Sequence, residues 1–428
     1  MKPQTADLLK FLNESPCNFL AVKNLTDRLD RAGFTPIDMA DKWNLKPGDR
    51  RYVVKNSSAV FAFIVGEDPA AGFKIISAHS DSPGFRIKPN AEIVNEGGVV
   101  TLNTEVYGGP ILYTWFDRPL SISGRVILRG ESPLRPVTRF VNFCRPLLTI
   151  PHLAIHYNRS VNDGNPLSKQ RDMLPVLGRV ASKEEGKGLL TRMVAAELGV
   201  APEEILDFDL TLYDTTPACL FGLNEEFISS GRIDDLEMAH AAVTALTASA
   251  ESGRADAMTL VMAIFDNEET GSGTKQGAAS PILRGIFQRL CGDFETYSRA
   301  VANSFMVSAD NGHALHPNYP SKQDPTNHPV PGDGPVVKIN ANCKYMTDAR
   351  SAAVFRGICE RADVACQVFV NHSDTPGGST LGNILTSQIE LDGVDMGAPQ
   401  WAMHSCRETA AVADHLSIID AFTAFYSL

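Results

Sequence analysis

The sequence predicts an α/β protein, its sheet covered by helices on both faces, with a second, β-rich domain inserted in its middle. Apolar strands alternate with helix-like segments at both ends of the chain, as is typical of such sheets. Between them lie short, alternating segments punctuated by glycine, such as "LSISGRVILRG", which indicate antiparallel β-structure. We therefore expect one discontinuous α/β domain, residues 1–90 plus 234–428, and an inserted domain at residues 91–233.

The individual elements can be predicted from the spacing of apolar residues and from turn signals. The stretch 131–175 is rich in Pro and Asn and is expected to form long ordered loops. The other elements, in chain order, are helices at 4–12 and 18–32, strands at 59–66 and 73–78, a helix at 189–200, a strand at 207–214, a helix at 236–250, the strand "TLVMAIF", a helical region at 275–302, the strand "FMVSAD", and strands at 334–340, 366–370 and 393–397.

Composition and charge exclude several classes of partner. The chain has 428 residues, of which 43% are hydrophobic and 21% charged, and its formal net charge is −11. Nucleic acids and anionic membranes attract proteins with an excess of Lys and Arg, so neither partner is expected. The first residues, "MKPQTADLLKFLNESP", lack the apolar region of a signal peptide, and no uncharged apolar run is long enough to span a bilayer. We therefore expect a soluble, cytoplasmic protein.

The eight cysteines are scattered along the chain and form no C-x-x-C pair. In a chain of this length without a secretion signal, they are expected to be reduced thiols, and a zinc site built on thiolates is not expected. The ten histidines are more informative, because several stand beside Asp at the ends of apolar runs.

The candidate chemistry lies where predicted strands end. Ligands of α/β proteins bind beyond the carboxyl ends of the strands, so side chains there converge on one edge if the strands are parallel. Four predicted strands end in this way: "FKIISAHSDSPG" with His79 and Asp81, "TLVMAIFDNEETGSG" with Glu268 and Glu269, "FMVSADNGHALH" with Asp310, His313 and His316, and "GVDMGAPQWAMHS" with His404.

These residue types predict a pair of metal ions. Two His, Asp310, Glu269 and one Asp of "GRIDDL", either Asp234 or Asp235, provide five imidazole and carboxylate ligands. That number is too high for one tetrahedral ion, and the ligand types suit Zn, Co or Mn. Two ions about 3.5–4 Å apart, bridged by one carboxylate, would use all five ligands and leave positions for water and substrate.

The adjacent glutamates are expected to have different roles. Neighbouring side chains on an extended backbone point in opposite directions, so one glutamate can bind metal while the other acts as the general base. His79 and Asp81 share a face at a spacing of two residues in an extended segment. We therefore expect Asp81 to orient His79 through its second ring nitrogen. The preceding Asp266 and Asn267 are interpreted as an ordinary solvated loop.

Each motif taken alone also has an ordinary structural explanation. A single His after a strand is more often a core or capping residue than a metal ligand, and "IDDL" is usually a helix cap. The recurrence of acids and His at successive strand ends favours the metal site. The glycine-rich "PGGSTLGN" lacks the Lys and Ser/Thr of a phosphate loop and is interpreted as a tight turn close to the substrate.

Seven long segments, in order along nearly the whole chain, resemble those of a known family. They are "SAHSDSPGFRIKP", "IPHLAIH", "SGRIDDL", "FDNEETGSG", "VSADNGHALHPNY", "GPVVKINANCKY" and "GAPQWAMHSCRE". They resemble the aspartyl aminopeptidases, zinc-dependent peptidases with two co-catalytic metal ions. The resemblance implies a mixed sheet sandwiched by helices, as in other zinc peptidases, and a dimerisation role for the inserted domain.

The resemblance also implies roles for individual residues. Glu268 is implied as the general base, and His156 would reach from the inserted domain into the site of a neighbouring subunit. The implied metal ligands are His79, Asp234 as the bridge, Glu269, Asp310 and His404, and the implied lining of the pocket for the N-terminal residue is His313, Lys338 and Tyr345. Where the family has "LDNL" this chain has "IDDL", so the sequence leaves open whether Asp235 bridges instead.

The function that follows is a metalloaminopeptidase that removes an N-terminal residue, preferably Asp or Glu, from peptides. Two divalent ions per subunit are expected, zinc first, with cobalt or manganese possible because the same ligands accept them. An ammonium at Lys338 would pair with an acidic side chain, unless it is a structural ion-pair partner within its strand. The family resemblance implies dimers that assemble into a tetrahedral dodecamer. The alternatives are a two-metal dipeptidase or deacylase, and a non-catalytic, metal-stabilised scaffold.

Overall fold

The computed structural model describes all 428 residues, which form eleven α-helices and twenty β-strands. The helices are α1 Pro3–Glu14, α2 Asn18–Arg31, α3 Lys169–Asp172, α4 Lys183–Gly186, α5 Leu189–Leu198, α6 Ile233–Ser252, α7 Ile282–Cys291, α8 Phe294–Ala302, α9 Ala349–Arg361, α10 Leu381–Leu385 and α11 Val412–Tyr426. No helix is both long and apolar enough to cross a membrane.

The strands fall into three sheets. Their bounds are β1 Thr35–Pro36, β2 Arg50–Lys55, β3 Ala59–Ile64, β4 Phe73–His79, β5 Gly84–Val94, β6 Val99–Tyr107, β7 Leu120–Ser132, β8 Arg135–Asn142, β9 Val176–Arg179, β10 Ile205–Asp214, β11 Cys219–Phe221, β12 Phe227–Ser230, β13 Thr259–Phe265, β14 Phe305–Ala309, β15 Gly312–His313, β16 Val336–Ile339, β17 Gln367–Val370, β18 Asp392–Gly397, β19 Pro399–Trp401 and β20 Glu408–Ala411.

The chain divides into two compact units. The first consists of Met1–Asp81, Ala218–Met403 and Glu408–Leu428, and the second of Ser82–Pro217 with His404–Arg407. The boundaries expected from sequence, after residues 90 and 233, lie nine and sixteen residues further along the chain. The difference arises because β5 pairs with β6 and β10 in the second unit, whereas β12 pairs with β20 in the first.

The first unit is built on a nine-stranded mixed sheet in the order β1-β2-β3-β13-β4-β14-β18-β16-β17. Its four central strands, β13, β4, β14 and β18, are mutually parallel, whereas β3 and β16 run antiparallel to their neighbours β13 and β18. The carboxyl ends of the four central strands therefore meet at one edge, and the predicted α/β class with a mixed sheet is confirmed.

Helices cover both faces of this sheet. Apolar side chains of α1, α2, α6, α9 and α11 form one core, and those of α7, α8 and α10 form the other. All seven residues of β13 are buried, as expected for a central strand covered on both faces. Helix α6 is rich in alanines, and Ala239, Ala241, Ala242 and Ala245 are fully buried. Their small side chains allow α6 to pack closely in the core.

A second, five-stranded sheet of the first unit was not predicted. Its order is β11-β12-β20-β19-β15, and each strand has only two to four residues. Such short strands show too little alternation for the period of two to be recognised. Helices α9 and α11 were missed as well. The chain just before α6 and the segments that follow β14 and β18 all contribute strands to this small sheet.

The second unit contains a six-stranded antiparallel sheet in the order β8-β7-β10-β5-β6-β9, with α5 packed on it. Its core includes Phe85 and Trp115, whose rings meet edge to face with centroids 5.0 Å apart. The expectation of loops throughout 131–175 was wrong for β8, which forms a hairpin with β7. Five of the eight β8 residues are exposed, so the strand lacks the apolar alternation on which the prediction relied.

Candidate metal centre

The carboxyl-terminal edge of the central strands gathers most of the predicted site residues of the first unit. One group consists of His79, Asp234, Asp235 and Asp310, all buried, with ligand atoms within 4.8 Å of one another. A second group joins His79 to Glu268 and Glu269 within the same limit. The acids come from three places, namely the start of α6 and the ends of β13 and β14. The expected convergence of strand-end acids is therefore present in the structure.

His79 ends β4 with both ring nitrogens engaged. Its Nε2 lies 3.4 Å from Asp234 Oδ1, and its Nδ1 lies 3.0 Å from the backbone oxygen of Asp81 and 3.4 Å from Asp81 Oδ1. A proton on Nδ1 that is donated to Asp81 leaves the Nε2 lone pair directed at Asp234. This is the tautomer required of a metal ligand. The atom closest to His79 Nδ1 is the backbone oxygen of Asp81, whereas the carboxylate of Asp81 was expected from the sequence.

The electrostatics of this cluster call for a cation. Burial alone would lower the pKa of His79, but the carboxylates of Asp235, Asp234 and Asp81 outweigh it and raise the pKa well above its usual value. Burial raises the pKa of Asp235, opposed by His79 and reinforced by the negative charges of Asp310 and Asp234. Several carboxylates desolvated together either bind protons or require compensating positive charge. Divalent ions are one source of that charge.

The two aspartates of "IDD" contact different atoms of His79. Asp234 approaches the imidazole ring, whereas Asp235 Oδ2 accepts a hydrogen bond of 3.0 Å from the backbone N–H of His79. The peptide bond between them is cis. The other oxygen of Asp235 is buried without a hydrogen-bond partner. Asp234 therefore lies against the imidazole ring of His79, whereas Asp235 holds the end of β4 through the main chain.

Glu268 and Glu269 lie in a short 3₁₀ turn, Glu268–Thr270, and the expected extended backbone was wrong. The chain turns because Asn267, which follows β13, adopts a left-handed conformation with φ of 63°. Successive side chains in a 3₁₀ turn still diverge, by about 120°. Asp81 accepts the backbone N–H of Glu268 at 3.1 Å and that of Glu269 at 3.2 Å. One carboxylate therefore anchors both glutamates.

Glu268, like Asp235, is a carboxyl of this edge whose pKa is strongly raised. Burial is the main cause, and the charge of Asp310 adds to it, so that the pKa of Glu268 rises to about 9. His79 opposes this shift, and bound cations would lower the pKa further. The pKa of Glu268 therefore depends on whether cations are bound. Such a carboxylate suits a group that takes a proton from water and later returns it.

The interpretation of Asp266 and Asn267 as a solvated loop was wrong. Asp266 is 2% exposed and accepts hydrogen bonds from Asn18 Nδ2 at 3.0 Å and from the N–H of Asn267 at 2.8 Å. Asn267 Oδ1 accepts from Thr274 Oγ1 at 2.9 Å and from Gln276 Nε2 at 2.8 Å. These bonds hold the turn that carries the two glutamates. An Asn two residues after the predicted strand was the available sequence signal, because Asn tolerates the left-handed conformation.

Lys338 is buried beside Asp310. Its Nζ lies 3.2 Å from Asp310 Oδ1 and donates a 2.8 Å hydrogen bond to the backbone oxygen of Asn311. Burial would lower the pKa of Lys338, but the negative charge of Asp310, together with Tyr345, Asp395 and Asp234, outweighs it and raises the pKa above its usual value, so the ammonium is charged. The ring of Tyr345 is centred 5.7 Å away. The structural ion pair considered as an alternative from sequence is therefore present.

His313, the third predicted pocket residue, belongs to the five-stranded sheet through β15. It lines a cavity of about 230 Å³ whose other walls include His316, Phe369, His372 and Trp401. The ring of Phe369 is centred 6.0 Å from that of His313. Lys338 and Tyr345, the other predicted residues of the pocket for the N-terminal residue, do not line this cavity.

Two predicted residues belong to the second unit. His156 is an exposed residue of the loop after β8. His404 has φ of 68°, and its Nδ1 lies 3.2 Å from the backbone oxygen of Gly109. Their predicted roles, metal ligand for His404 and contact with a neighbouring subunit's site for His156, therefore stay predictions.

Comparison with known proteins adds an independent result. The sequence model of the family described as "Aminopeptidase I zinc metalloprotease (M18)" matches residues 11–426. A "Probable M18 family aminopeptidase 2" of Clostridium novyi is 47% identical over 428 residues, which cover 99% of this chain and 98% of that protein. A protein of the same description from Clostridium acetobutylicum is 48% identical, with 98% of each chain covered.

Solved structures agree with these sequence matches. A cryo-EM structure of a complex of Ape4 and Nbr1 contains a chain that is 35% identical, with a TM-score of 0.94, covering 99% of this chain and 85% of that one. The mApe1 of Chaetomium thermophilum is 29% identical with a TM-score of 0.87, covering 99% and 97%. An mApe1 dodecamer of S. cerevisiae is 25% identical with a TM-score of 0.85, covering 99% and 96%.

Proposed function

The chain belongs to the M18 family of zinc metalloproteases, aminopeptidases that remove N-terminal residues from peptides, and on this premise we propose that it prefers Asp or Glu at the N-terminus and uses two divalent ions. The observation that carries the proposal is the buried group of His79, Asp234 and Asp310, with Glu268 and Glu269 beside it. A peptidase of this kind needs metal ligands, a general base and a pocket for one residue, and the first unit supplies candidates for each.

In this proposal His79, Asp234, Glu269, Asp310 and His404 would hold the two ions, with Asp234 as the ligand common to both, as the sequence resemblance implies. Imidazole and carboxylate donors fit zinc and also accept cobalt or manganese. The buried, hydrogen-bond-deficient oxygen of Asp235 and the density of carboxylates support a resident cation. Such ions lower the pKa of a water molecule and polarise a peptide carbonyl when bound.

Glu268 is the proposed general base. It takes a proton from the water that attacks the first peptide carbonyl, and it returns that proton to the nitrogen of the leaving amine. Asp81 holds the backbone of Glu268 and of Glu269 through two hydrogen bonds, and so keeps the base at a constant position relative to the neighbouring ligand. His156 is proposed to help stabilise the oxyanion from a neighbouring subunit, as the sequence resemblance implies.

Lys338 supports a preference for acidic N-terminal residues. It is a charged, buried ammonium whose neighbours are Asp310, the Asn311 carbonyl and the face of Tyr345. An ammonium has three N–H bonds, so a substrate carboxylate can become a further acceptor. In a desolvated site such a charge-assisted hydrogen bond is stronger than one in water. His313 and Tyr345 complete the proposed pocket.

Hydrolysis rates test this preference. Zinc-loaded full-length protein should cleave substrates with N-terminal Asp or Glu at least about tenfold faster, in kcat/KM, than those with Leu, Lys or Ala. N-acetylated substrates should not be cleaved, since an aminopeptidase requires a free α-amine. Lys338→Gln should reduce the ratio of acidic to neutral rates toward one. The ratio isolates recognition, because any change in metal affinity lowers both rates. Faster cleavage of Leu than of Asp by the unmodified protein would contradict the proposal.

The proposed assembly is a dimer formed through the inserted domain, six of which build a tetrahedral dodecamer. The dodecamer of the similar mApe1 from S. cerevisiae supports it. Light scattering on the full chain tests the proposal, since twelve copies of a 46.4 kDa subunit have a mass of about 557 kDa. A cytoplasmic location stays a prediction from the sequence.

A further inference from the structure

A ring of four buried side chains lies directly behind the proposed metal ligands. We call it the amide–carboxylate ring, and its members are Glu237, Asn311, Gln400 and Glu408. Each is at most 2% exposed, and each comes from a different element or loop of the first unit, α6, the segment after β14, β19 and β20. None of the four belongs to the predicted ligand set, and the proposed mechanism does not use them. Their hydrogen bonds show what they do.

The first contact joins the ring to Asp234. Glu408 Oε2 accepts the backbone N–H of Asp234 at 3.0 Å. The small sheet brings Glu408 there, because β20 pairs with β12 and sets Glu408 opposite Ser230, four residues before Asp234. A buried N–H without an acceptor is destabilising, so this bond constrains where the start of α6 can lie.

The ring then continues to Asp310. Gln400 Nε2 lies 3.5 Å from Glu408 Oε1, and Gln400 Oε1 accepts from Asn311 Nδ2 at 3.0 Å. Asn311 is the residue after Asp310, and its backbone oxygen accepts a hydrogen bond from Lys338. Gln400 therefore holds the side chain of Asn311, and Lys338 holds its backbone oxygen.

A last contact closes the ring on α6. Asn311 Nδ2 donates its second hydrogen bond to Glu237 Oε2 at 2.9 Å, and Glu237 lies three residues after Asp234 in the chain. Both N–H bonds of the Asn311 amide are thus used, which determines its orientation. The path from Asp234 through Glu408, Gln400, Asn311 and Glu237 returns to the helix on which it began. Asp234 and Asp310, which sit on different elements, are thereby linked by side-chain hydrogen bonds.

We infer that the amide–carboxylate ring is a positioning device that holds Asp234 and Asp310 at the spacing that metal binding requires. The inference rests on the proposed metal site. Its physical basis is that ligands on two separate elements keep their separation only if something rigid joins them, and hydrogen-bonded groups behind ligands typically contribute about 10–100-fold in metal affinity. The ring residues are positioning residues, because they act through Asp234 and Asp310 and none of them is a proposed metal ligand or the proposed base.

Zinc affinity of the full-length protein, measured by competition with a fluorescent chelator, tests the inference without using activity. Glu408→Ala removes the acceptor for Asp234 and should weaken zinc binding by about 10–100-fold. Glu408→Gln keeps an oxygen acceptor for the Asp234 N–H but sets its NH2 group against Gln400 Nε2, so it should weaken zinc binding less than Glu408→Ala does. Gln400→Met breaks the ring at a near-isosteric side chain and should also weaken zinc binding, which provides a second test if Glu408→Ala does not fold.

Asp414→Ala is the matched control. Asp414 is an equally buried carboxylate of the first unit that accepts two backbone N–H bonds, those of Gly332 and Gly334, both at 2.7 Å. Its loss should lower the thermal stability of the metal-free protein while zinc affinity changes by less than about threefold. The inference is overturned if Glu408→Ala and Gln400→Met bind zinc normally, or if Asp414→Ala loses as much affinity as they do. Failure of the unmodified protein to bind zinc would instead contradict the proposed function.

Discussion

Asp81 shows how a single residue organises the candidate site. Its backbone oxygen receives the Nδ1 side of His79, and its two carboxylate oxygens receive the backbone N–H groups of Glu268 and Glu269. The residue therefore connects the end of β4 to the turn after β13. The sequence predicted an interaction of Asp81 with His79 from their spacing, but its role in anchoring both glutamates depends on a 3₁₀ turn that spacing does not reveal.

Substitution of the two glutamates should separate catalysis from metal binding. Glu268→Gln removes the proton acceptor but keeps the shape of the side chain, so kcat should fall by about 10²–10⁴-fold while zinc affinity is retained. Glu269→Gln is the matched variant on the same turn, and it should bind zinc more weakly. Measurement of kcat and of zinc content for both variants distinguishes the roles. Near-normal kcat in Glu268→Gln would remove Glu268 from the base role.

At the scale of elements, the parallel strands β13, β4, β14 and β18 account for the position of the site. Parallel strands bring their carboxyl ends to one edge, and β4, β14 and β13 end at or within four residues of the candidate ligands His79, Asp310 and Glu269, whereas His404 follows β18 only after β19. The antiparallel neighbours β3 and β16 do not end at that edge. Strand direction therefore explains why the same sequence pattern, an apolar run followed by an acid or His, recurs at these strands.

Helix α11 offers a test of pH dependence at the same scale. Burial raises the pKa of Asp414 near its start to about 7, although the N–H groups of Gly332 and Gly334 oppose the shift. An acid with a raised folded-state pKa binds its proton more tightly in the folded protein than in the unfolded chain. The contribution of Asp414 to the free energy of unfolding is therefore complete below its unfolded-state pKa, near 4. It is lost as the pH rises toward the folded-state pKa of about 7.

The expected contribution of Asp414 is a decrease in unfolding free energy of at most about 1.4 kcal/mol per pH unit between pH 4 and 7. Asp414→Asn cannot titrate, so its unfolding free energy should decline less steeply with pH than that of the unmodified protein. Urea unfolding at pH 5, 6, 7 and 8, at matched protein concentration, measures both slopes. Comparison of slopes removes the constant loss caused by the substitution itself. If the unfolding free energies of both proteins decline equally with pH, the raised pKa of Asp414 does not contribute to the pH dependence of stability.

Long apolar elements were the ones that sequence could predict. The pattern of β13 or α2 follows directly from burial, and each lies within a few residues of its predicted bounds. Strands β15 and β20 were missed because two to four residues carry no measurable period, and β8 was missed because it is mostly exposed. The ligand types could be read from strand ends, whereas Glu408 could not be linked to Asp234. That link depends on pairing between strands about 180 residues apart.

For the whole molecule, metal ions are expected to contribute to stability as well as to catalysis. Buried carboxylates at the candidate centre repel one another, and ions that bind only the folded chain stabilise it by mass action. Chelation should therefore lower the melting temperature. Free zinc at 100 times its dissociation constant corresponds to about 2.7 kcal/mol of stabilisation per site. Calorimetry of the zinc-loaded and chelated full-length protein tests this, and Glu269→Gln should show a smaller difference. Identical melting temperatures would contradict a metal centre that is part of the fold.

The amide–carboxylate ring also bears on how this sequence can change during evolution. Asn311 donates hydrogen bonds to Glu237 and to Gln400. Asn311→Asp alone would therefore place carboxylate oxygens next to the accepting oxygens of Glu237 and Gln400, with no hydrogen between them. A simultaneous exchange, Asn311→Asp with Glu237→Gln, would reverse the polarity of their hydrogen bond and restore part of what either change removes. Substitutions at positions 237 and 311 should therefore be correlated in proteins that evolve from this one, although 74 residues separate the two positions along the chain.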